Sequence, residues 1–372
     1  MSLMKNDLKI LHFGLLKTIN PGVKQQLICE QKAPKNLNWH VIFFSHDAIN
    51  DGFMRQPAYP FSFFKKIRVL KYITLRVSAY SWLLKNADKF DVVVLRYPLG
   101  DPLLAFYARK LNNLFTIHHT KELDEIKSHS GFVSKIHQTI ESLVSRVVLR
   151  QVSGIIGLTR EILDYELDRI KPVIRPGFVS SNGIDTTTLH QLKDSRQDNI
   201  KLVCICSKPY VWQGLDLIVS DLINSNIQGV ELHFIGDISP EMFGSDPRIF
   251  YHGMLTKSEL EESLSVYDLG LGSFALYRKA MKEACTLKTR DYLAAGIPVY
   301  ANHTDSGLPA SFPFFINQPF DLTTAIKLAN DFRKTTKESI RQASLPYIDK
   351  QELVEDLADW IIQCTESSSN RR

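Results

Sequence analysis

The sequence predicts an α/β protein built from two parallel-sheet domains, and three observations lead there. The chain has 372 residues, 44% hydrophobic and 23% charged, which is enough for two cores of ordinary size. Short β-branched or aromatic runs alternate with helical patterns, and the apolar runs are continuous, as expected of strands buried on both faces of a parallel sheet. The rhythm stops at one polar stretch, "TTTLHQLKDSRQDN" (186–199), and then restarts. Two βαβ series joined by a polar linker imply two Rossmann-like domains of similar size facing across a cleft, with ligands at the carboxyl ends of the strands.

In chain order, the first domain's strands are "LKILHFG" (8–14), "WHVIFFS" (39–45), "FDVVVLRY" (90–97), "LFTIHH" (114–119) and "SGIIGLT" (153–159). The second series runs "IKLVCICS" (200–207), "VELHFIGD" (230–237), "RIFYHG" (248–253), "DLGLGSF" (268–274), "IPVYAN" (297–302) and "FPFFIN" (312–317). A last helix over 350–364 carries an apolar stripe at helical spacing and must pack against something. The segment "TESSSNRR" (365–372) after it is expected to be a disordered tail. No repeat of 20 to 50 residues is present, which argues against a solenoid.

Composition excludes several classes. No apolar run approaches the roughly 18 residues a membrane span needs, and "MSLMKNDLKI" lacks the apolar stretch of a secretory signal, so a cytoplasmic protein is expected. The five cysteines, Cys29, Cys204, Cys206, Cys285 and Cys364, are scattered and mostly inside apolar runs, so they read as small core residues. No His, Cys and Asp cluster has metal-ligand spacing and no Asp-x-Asp occurs, so no essential metal or cofactor is expected. Neither a phosphate-binding P-loop nor a G-x-S-x-G hydrolase elbow is present.

The net charge of +5 argues for no particular partner, but its distribution is uneven. Between Asp51 and Asp88 there is no acid, while Arg55, Lys65, Lys66, Arg68, Lys71, Arg76 and Lys85 fall there among Phe61, Phe63, Phe64, Tyr72, Tyr80 and Trp82. Residues 61–85 read either as an interfacial helix on anionic lipid or as a packed helix with a solvated basic face. Nucleic acid is the weaker option, because no recognisable binding module accompanies the charge.

The segment with the most chemistry is "EACTLKTRDYLAAGIPVY" (283–300). Gly296 and Pro298 form a helix stop, which predicts a helix over 287–295. Free amides near Thr286, the positive end of the helix dipole and the Lys288 ammonium together make an anion site suited to phosphate. Glu283 and Asp291 border it, and carboxylates accept hydrogen bonds from vicinal hydroxyls. An anion site flanked by two such acids suits a nucleoside diphosphate attached to a sugar. The plainer alternative keeps Glu283 as a solvated loop acid and Asp291 as a complement to the helix dipole.

"LKTRDYLAAGIPVYAN" (287–302) resembles the "LKxxEYxAxGxPV" segment of retaining, two-domain glycosyltransferases of fold type B (GT-B), especially family 4. Glu283 and Asp291 have the spacing of that family's Glu-x7-Glu motif, with Asp for the second Glu. The resemblance implies that Glu283 contacts the donor sugar and Asp291 holds the ribose hydroxyls. "VSSNGID" (179–185) is similar to the family's Asn-Gly-x-Asp element before the linker, and "RIFYHGMLTKSELEESLSVYDLGLGSF" (248–274) is similar to its next conserved region. By the same resemblance Thr286, Leu287, Lys288, Gly253 and Met254 fall on the donor. Gly14, in "FGLLKTINPG" (13–22), falls in a loop beneath its phosphates. In "TIHHTKELDE" (116–125), His118 best fits the family's sugar-facing histidine and His119 is a close second, while Glu122 reads equally well as a helix-start residue.

One loop departs from the family. Where it shows "GR" and then "KG", this chain has "CICSKPYVWQGLDLIV" (204–219), with Lys208 at the arginine position and Gln213 at the lysine position. Both family cations neutralise the leaving diphosphate, so glutamine removes one charge from the site. Lys208 and Lys288 are left to share the task, without arginine's bidentate fork. Related polysaccharide-type transferases carry "W-x-G" at this point.

The resemblance implies a first domain over 1–185 that takes a sugar or lipid-linked acceptor, rejoined by 346–372 as the last helix crosses back. It implies a second domain over 186–345 that takes a UDP- or GDP-type nucleotide sugar, and transfer with retention in polysaccharide or glycolipid assembly. A catalytically weak partner subunit of such an assembly is the alternative. An epimerase fits the motif order less well, and a glycoside hydrolase would set its paired acids about a glycosidic bond rather than a helix-start anion site.

Overall fold

The computed structural model describes residues 8–19, 21–32, 36–48, 52–121, 123–124 and 132–369. The chain forms two compact units, Met1–Ser181 with Lys350–Arg372, and Asn182–Asp349.

The first unit runs β1 (Lys9–Leu16), α1 (Pro21–Gln31), β2 (Asn38–Ser45), β3 (Met54–Arg55), α2 (Arg68–Asn86), β4 (Val92–Arg96), α3 (Pro102–Ala108), β5 (Leu114–His118), α4 (Phe132–Leu149), β6 (Gly154–Gly157), α5 (Arg160–Arg169) and β7 (Gly177–Val179). Its seven strands lie in the order β3-β2-β1-β4-β5-β6-β7, with every pairing parallel. The continuous apolar strands are buried as their composition requires: the first four residues of β4, Val92 to Leu95, are covered on both faces. Helix starts follow local chemistry. Asp101 accepts from the Leu103 amide ahead of Pro102, and Thr159 accepts from the Ile162 amide.

The last helix, α12 (Lys350–Ser369), completes this unit. Val354, Leu357, Ala358 and Ile361 join Ile10, Val41, Val92, Val94 and Ile156 in one core cluster. Each such side chain contributes about 1.5–3 kcal/mol on leaving water. A buried ion network pins the helix start: Lys350 Nζ lies 2.9 Å from Glu30 Oε1, and His12 Nδ1 lies 2.5 Å from Glu30 Oε2. Burial alone would raise the Glu30 pKa, yet Lys350 and His12 hold it far below the usual carboxylate range. The helix also continues through residues 365–369, where a disordered tail was expected; Thr365 is still buried there and its hydroxyl donates to the Ile362 carbonyl.

The second unit runs β8 (Ile200–Cys206), α6 (Leu215–Asn224), β9 (Val230–Gly236), α7 (Pro240–Phe243), β10 (Ile249–Tyr251), α8 (Lys257–Ser263), β11 (Leu269–Leu271), α9 (Leu287–Ala294), β12 (Val299–Ala301), β13 (Phe315–Asn317), α10 (Leu322–Phe332) and α11 (Lys337–Ile348). Its sheet is again all parallel, in the order β10-β9-β8-β11-β12-β13. The division falls a few residues from the expected 185/186 and 345/346 because α11 keeps Ile340 and Ile348 in this unit's core, where the Ile184 amide donates to the Ile348 carbonyl.

Candidate functional site

The carboxyl ends of β8, β9, β11 and β12 assemble the residues of interest in the second unit. At β9 the chain turns at Gly236, with φ of +135°; a Cβ there would meet the Cys206 carbonyl oxygen at 1.8 Å, so only glycine lets the ends of β8 and β9 approach. After β10, Gly253 adopts φ of +67° and its carbonyl accepts from the Gly236 amide, while Met254 is exposed beside it.

Helix α9 stops as its sequence directs. Gly296 takes φ of +66° and packs so closely on Lys337 that a Cβ would lie 2.2 Å from its carbonyl oxygen. At its start Thr286 is extended, and its side chain does not cap the first turn; the Thr286 hydroxyl pairs with Thr289 Oγ1 instead, at 2.9 Å. The leading amides of a helix have no intrahelical acceptor, so this end offers unpaired donors and a positive dipole beside half-buried Leu287.

Glu283 stands four residues before α9. Its segment is laced to the extension of β12: the Ala284 amide donates to the Thr304 carbonyl at 3.0 Å, and the Thr304 amide donates to that of Lys282 at 3.0 Å. The Ser306 hydroxyl donates to Glu283 Oε2. Glu283 is thereby a held acid rather than a freely solvated one.

Asp291 lies one turn into α9, half-buried, with no hydrogen bond from its carboxylate to a described residue. Burial pushes its pKa from 3.8 up to about 7; Glu261 adds to the rise and Lys257 opposes it. Both those residues sit on α8, which follows Gly253 and Met254 in the chain.

Lys288 differs from expectation. Its side chain is buried, and its ammonium donates to the Gly272 carbonyl at 3.0 Å, with Cys204 Sγ at 4.0 Å. This contact ties the ammonium to the residue that follows β11. Gln213 is likewise committed: its Oε1 accepts from the Tyr210 amide at 3.1 Å and from Cys206 Sγ at 2.7 Å, which shapes the turn into Gly214. Lys208, just beyond β8, is exposed, and no described residue takes its ammonium.

Sequence reading missed the scaffold behind these residues. Arg290 is fully buried on α9 and grips Asp305 with both terminal nitrogens, the NH2 contact at 3.0 Å. Its Nε donates to the Asn182 carbonyl at 2.9 Å. The Asn182 side-chain amide donates to the Cys285 carbonyl at 2.6 Å, which ties "SSNGID" to the Glu283 segment. Asp305 also accepts from the Gly307 amide next to Ser306. Nearby, Ser273 Oγ and His303 Nε2 are buried without a hydrogen-bond partner among the described residues. The one signal that could have found this scaffold is the arginine itself, since a charge on the inward face of an apolar helix needs a buried acid.

In the first unit the marked residues have other surroundings. Gly14, expected in a loop, lies inside β1 opposite Phe43, whose ring would be 2.3 Å from a Cβ. His118 is fully buried at the end of β5, with Nε2 3.1 Å from Thr116 Oγ1 and the Tyr97 ring stacked at 4.7 Å. Burial holds its pKa down to about 4. His119 is half-buried; its Nε2 is shielded from solvent and has no partner among the described residues. Burial, then Arg96 and His12, drive its pKa well down. Glu122 lies outside the described residues.

Among the described residues no group of three or more His, Cys, Asp or Glu is placed to hold a metal ion, and no helix is long and apolar enough to cross a membrane.

No protein-family profile matches the sequence, and no curated protein matches it. Solved structures do match across nearly the whole chain. The lipopolysaccharide outer core galactosyltransferase WaaB, in apo form, aligns with a TM-score of 0.62 at 12% identity, over 96% of this chain and 99% of its own. HepE of Anabaena in complex with UDP-glucose aligns at 0.61 and 12%, over 97% and 99%. A glycosyltransferase from Rickettsia africae aligns at 0.64 and 12%, over 96% and 99%. The chain therefore has the two-domain, all-parallel α/β fold of these GT-B structures.

Proposed function

We propose that the protein is a glycosyltransferase of the retaining, family 4-like kind, moving a sugar from a nucleotide-diphosphate sugar to an acceptor hydroxyl. The observation that carries the reading is the start of α9, which Thr286 does not cap, with a held acid, Glu283, on one side and, on the other, Asp291, a half-buried acid without a hydrogen-bond partner among the described residues. The shared fold supports it, and so does the UDP-glucose bound by the HepE structure.

In this scheme the α9 amides, at Leu287 and after, take the diphosphate, with exposed Lys208 as the mobile cation. Asp291 accepts from the ribose hydroxyls toward Gly253 and Met254. Glu283 accepts from a hydroxyl of the donor sugar and orients its anomeric carbon, and the departing diphosphate takes the proton of the attacking acceptor hydroxyl on the same face. Charge stabilisation at the leaving group supplies the largest share of the rate. Lys288 acts one step back, by holding the Gly272 end of β11 in place. A hexosyl donor of UDP or GDP type and a cytoplasmic role in bacterial surface polysaccharide or glycolipid assembly fit the "WQG" loop.

The commitment of Gln213 to its own turn favours a second reading, a weak or inactive relative that serves as a partner subunit, because one expected cation is missing. Calorimetry with UDP and GDP, together with hydrolysis of radiolabelled nucleotide sugars, separates the two. Binding with turnover supports the enzyme. Failure to bind any nucleoside diphosphate, with no turnover, overturns it.

A further inference from the structure

Two loops of the second unit carry aromatic side chains that its core does not use. Residues 207–214 leave the carboxyl end of β8, and residues 272–286 leave that of β11 and pass through Glu283 into α9. On these loops Tyr210, Val211 and Tyr277 are 51%, 72% and 61% exposed. The rings of Tyr210 and half-buried Trp212 lie within 10° of parallel, with centroids 5.7 Å apart, and form one stacked pair at the surface.

The pair sits on a fixed frame. The Arg278 guanidinium joins the two loops, donating to the Val211 carbonyl at 2.9 Å and to both Asp216 oxygens at 2.8 Å. The Phe274 amide donates to the Gln213 carbonyl at 2.9 Å, and Gln213 Oε1 holds the Tyr210 amide. Rings held in this way lose little freedom when a ligand settles on them. Scattered apolar residues on a surface need no explanation, but a rigid aromatic cluster beside a candidate site does.

The charge around the pair is mostly of one sign. Residues 207–216 and 276–283 carry four cations, Lys208, Arg278, Lys279 and Lys282, and two acids, Asp216 and Glu283. Asp216 is taken by Arg278, and Glu283 is held by Ser306. Lys279 Nζ stands 6.0 Å from the centre of the Trp212 ring, and no described acid pairs with Lys208 or Lys279.

We propose that Tyr210, Trp212 and Lys279 bind an anionic saccharide chain, with one sugar ring against the aromatic pair and an acidic substituent on the lysine. A pyranose ring has an apolar C–H face and a polar rim, which matches aromatic faces set among cations. The choice of a saccharide rests on the transferase reading, because the same two loops carry Lys208 and Glu283. It names an acidic glycan as the acceptor class, which that reading leaves open.

The test is calorimetric titration of the full chain with hexagalacturonate, with maltohexaose as the neutral chain and an oligothymidylate as single-stranded nucleic acid, at low and high salt. Hexagalacturonate should bind at least about 10-fold more tightly than either control, and salt should weaken it. Tyr210→Ser should lower that affinity by about 10-fold, the order of one stacked ring. Lys279→Gln should lower it by about 3-fold and make the salt dependence shallower. Trp212 is the only tryptophan between residues 182 and 349, so the complex should change tryptophan emission in the wild type and not in Trp212→Phe, which keeps an aromatic face and affinity within a few-fold. The three variants should melt within about 3 °C of the wild type.

UDP and GDP titrated into the same proteins report the α9 site separately. Binding of nucleotide without hexagalacturonate overturns this proposal alone, whereas binding of hexagalacturonate without nucleotide supports it and counts against the donor reading. Equal affinity for maltohexaose or oligothymidylate, or equal affinity in the wild type and Tyr210→Ser, overturns it. So does a dimer that Tyr210→Ser dissolves in a protein that binds no glycan, which would assign the pair to a second copy.

Discussion

The strand ends of the two units, similar in topology, treat their marked residues differently. In the second unit, Glu283 and Asp291 stay near the surface around a helix start that Thr286 does not cap, and the charge that supports them, Arg290 with Asp305, is placed underneath. In the first unit the corresponding positions are drawn inward: Gly14 packs against Phe43, and His118 is enclosed by Thr116 and Tyr97. A polar residue at a strand end is available for chemistry only when something else fills the space below it. Arg290, Asp305 and Asn182 do that in the second unit, whereas in the first the motif residues fill the space themselves.

The strongest way to break this contrast is to remove the support. Arg290→Met leaves Asp305 buried and unpaired, and should cost about 3–5 kcal/mol in a denaturant melt. Asp305→Asn, milder in shape, should keep the fold under native conditions but lower donor turnover through a misplaced Glu283. Unchanged turnover in a folded Asp305→Asn protein would show that the scaffold does not position the acid.

Next is the division of roles on the surface. Glu283→Gln should reduce donor turnover by at least about 100-fold, the loss typical of one transition-state contact, with nucleoside diphosphate affinity within a few-fold. Asp291→Asn should instead weaken nucleotide affinity by about 10-fold, a single charge-assisted bond's worth. Equal loss of affinity in both variants would contradict the assignment.

Asp291 also makes a pH prediction. Its folded-state pKa of about 7 lies above the ordinary 3.8, so the folded protein binds more protons than the unfolded chain between those values. Stability contributed at this site therefore falls as pH rises from about 4 to 7 and stays reduced above it. Asp291→Asn should raise the melting temperature at pH 8 by about 2–4 °C, a gain that fades toward pH 5. Nucleotide affinity, which needs the ionised acid, should fall in the wild type as pH drops through 7 and be flat in the variant. A flat wild-type profile would place the carboxyl away from the ribose.

The smallest contrast is within the histidine pair. His118→Ala removes a buried, stacked ring and should destabilise by about 2 kcal/mol, while His119→Ala should stay within about 0.5–1 kcal/mol. Equal losses in thermal melts would mean that both rings are core.

Local pattern carried most of the architecture. Continuous apolar runs mark strands because a sheet covered on both faces has no polar side, and the Gly296 stop marks the end of α9 because only glycine takes its left-handed turn without strain. These requirements act over a few neighbouring residues, so the amino-acid order alone determined two parallel sheets, the position of α9 and the candidate acids beside it.

Tertiary structure decided what no local pattern contains. Gly14 reads as the end of a strand and the start of a loop until β2, pairing along all eight positions of β1, draws the strand on to Leu16. Lys288 reads from its neighbours only as a cation near the helix start, and its bond to the Gly272 carbonyl, sixteen residues earlier, exists only in the folded chain. Arg290 acquires its meaning from Asp305 and Asn182, and His118 its surroundings from the Tyr97 ring stacked on it. In each case a side chain's environment is set by where a distant backbone group ends, which depends on the closure of the whole sheet.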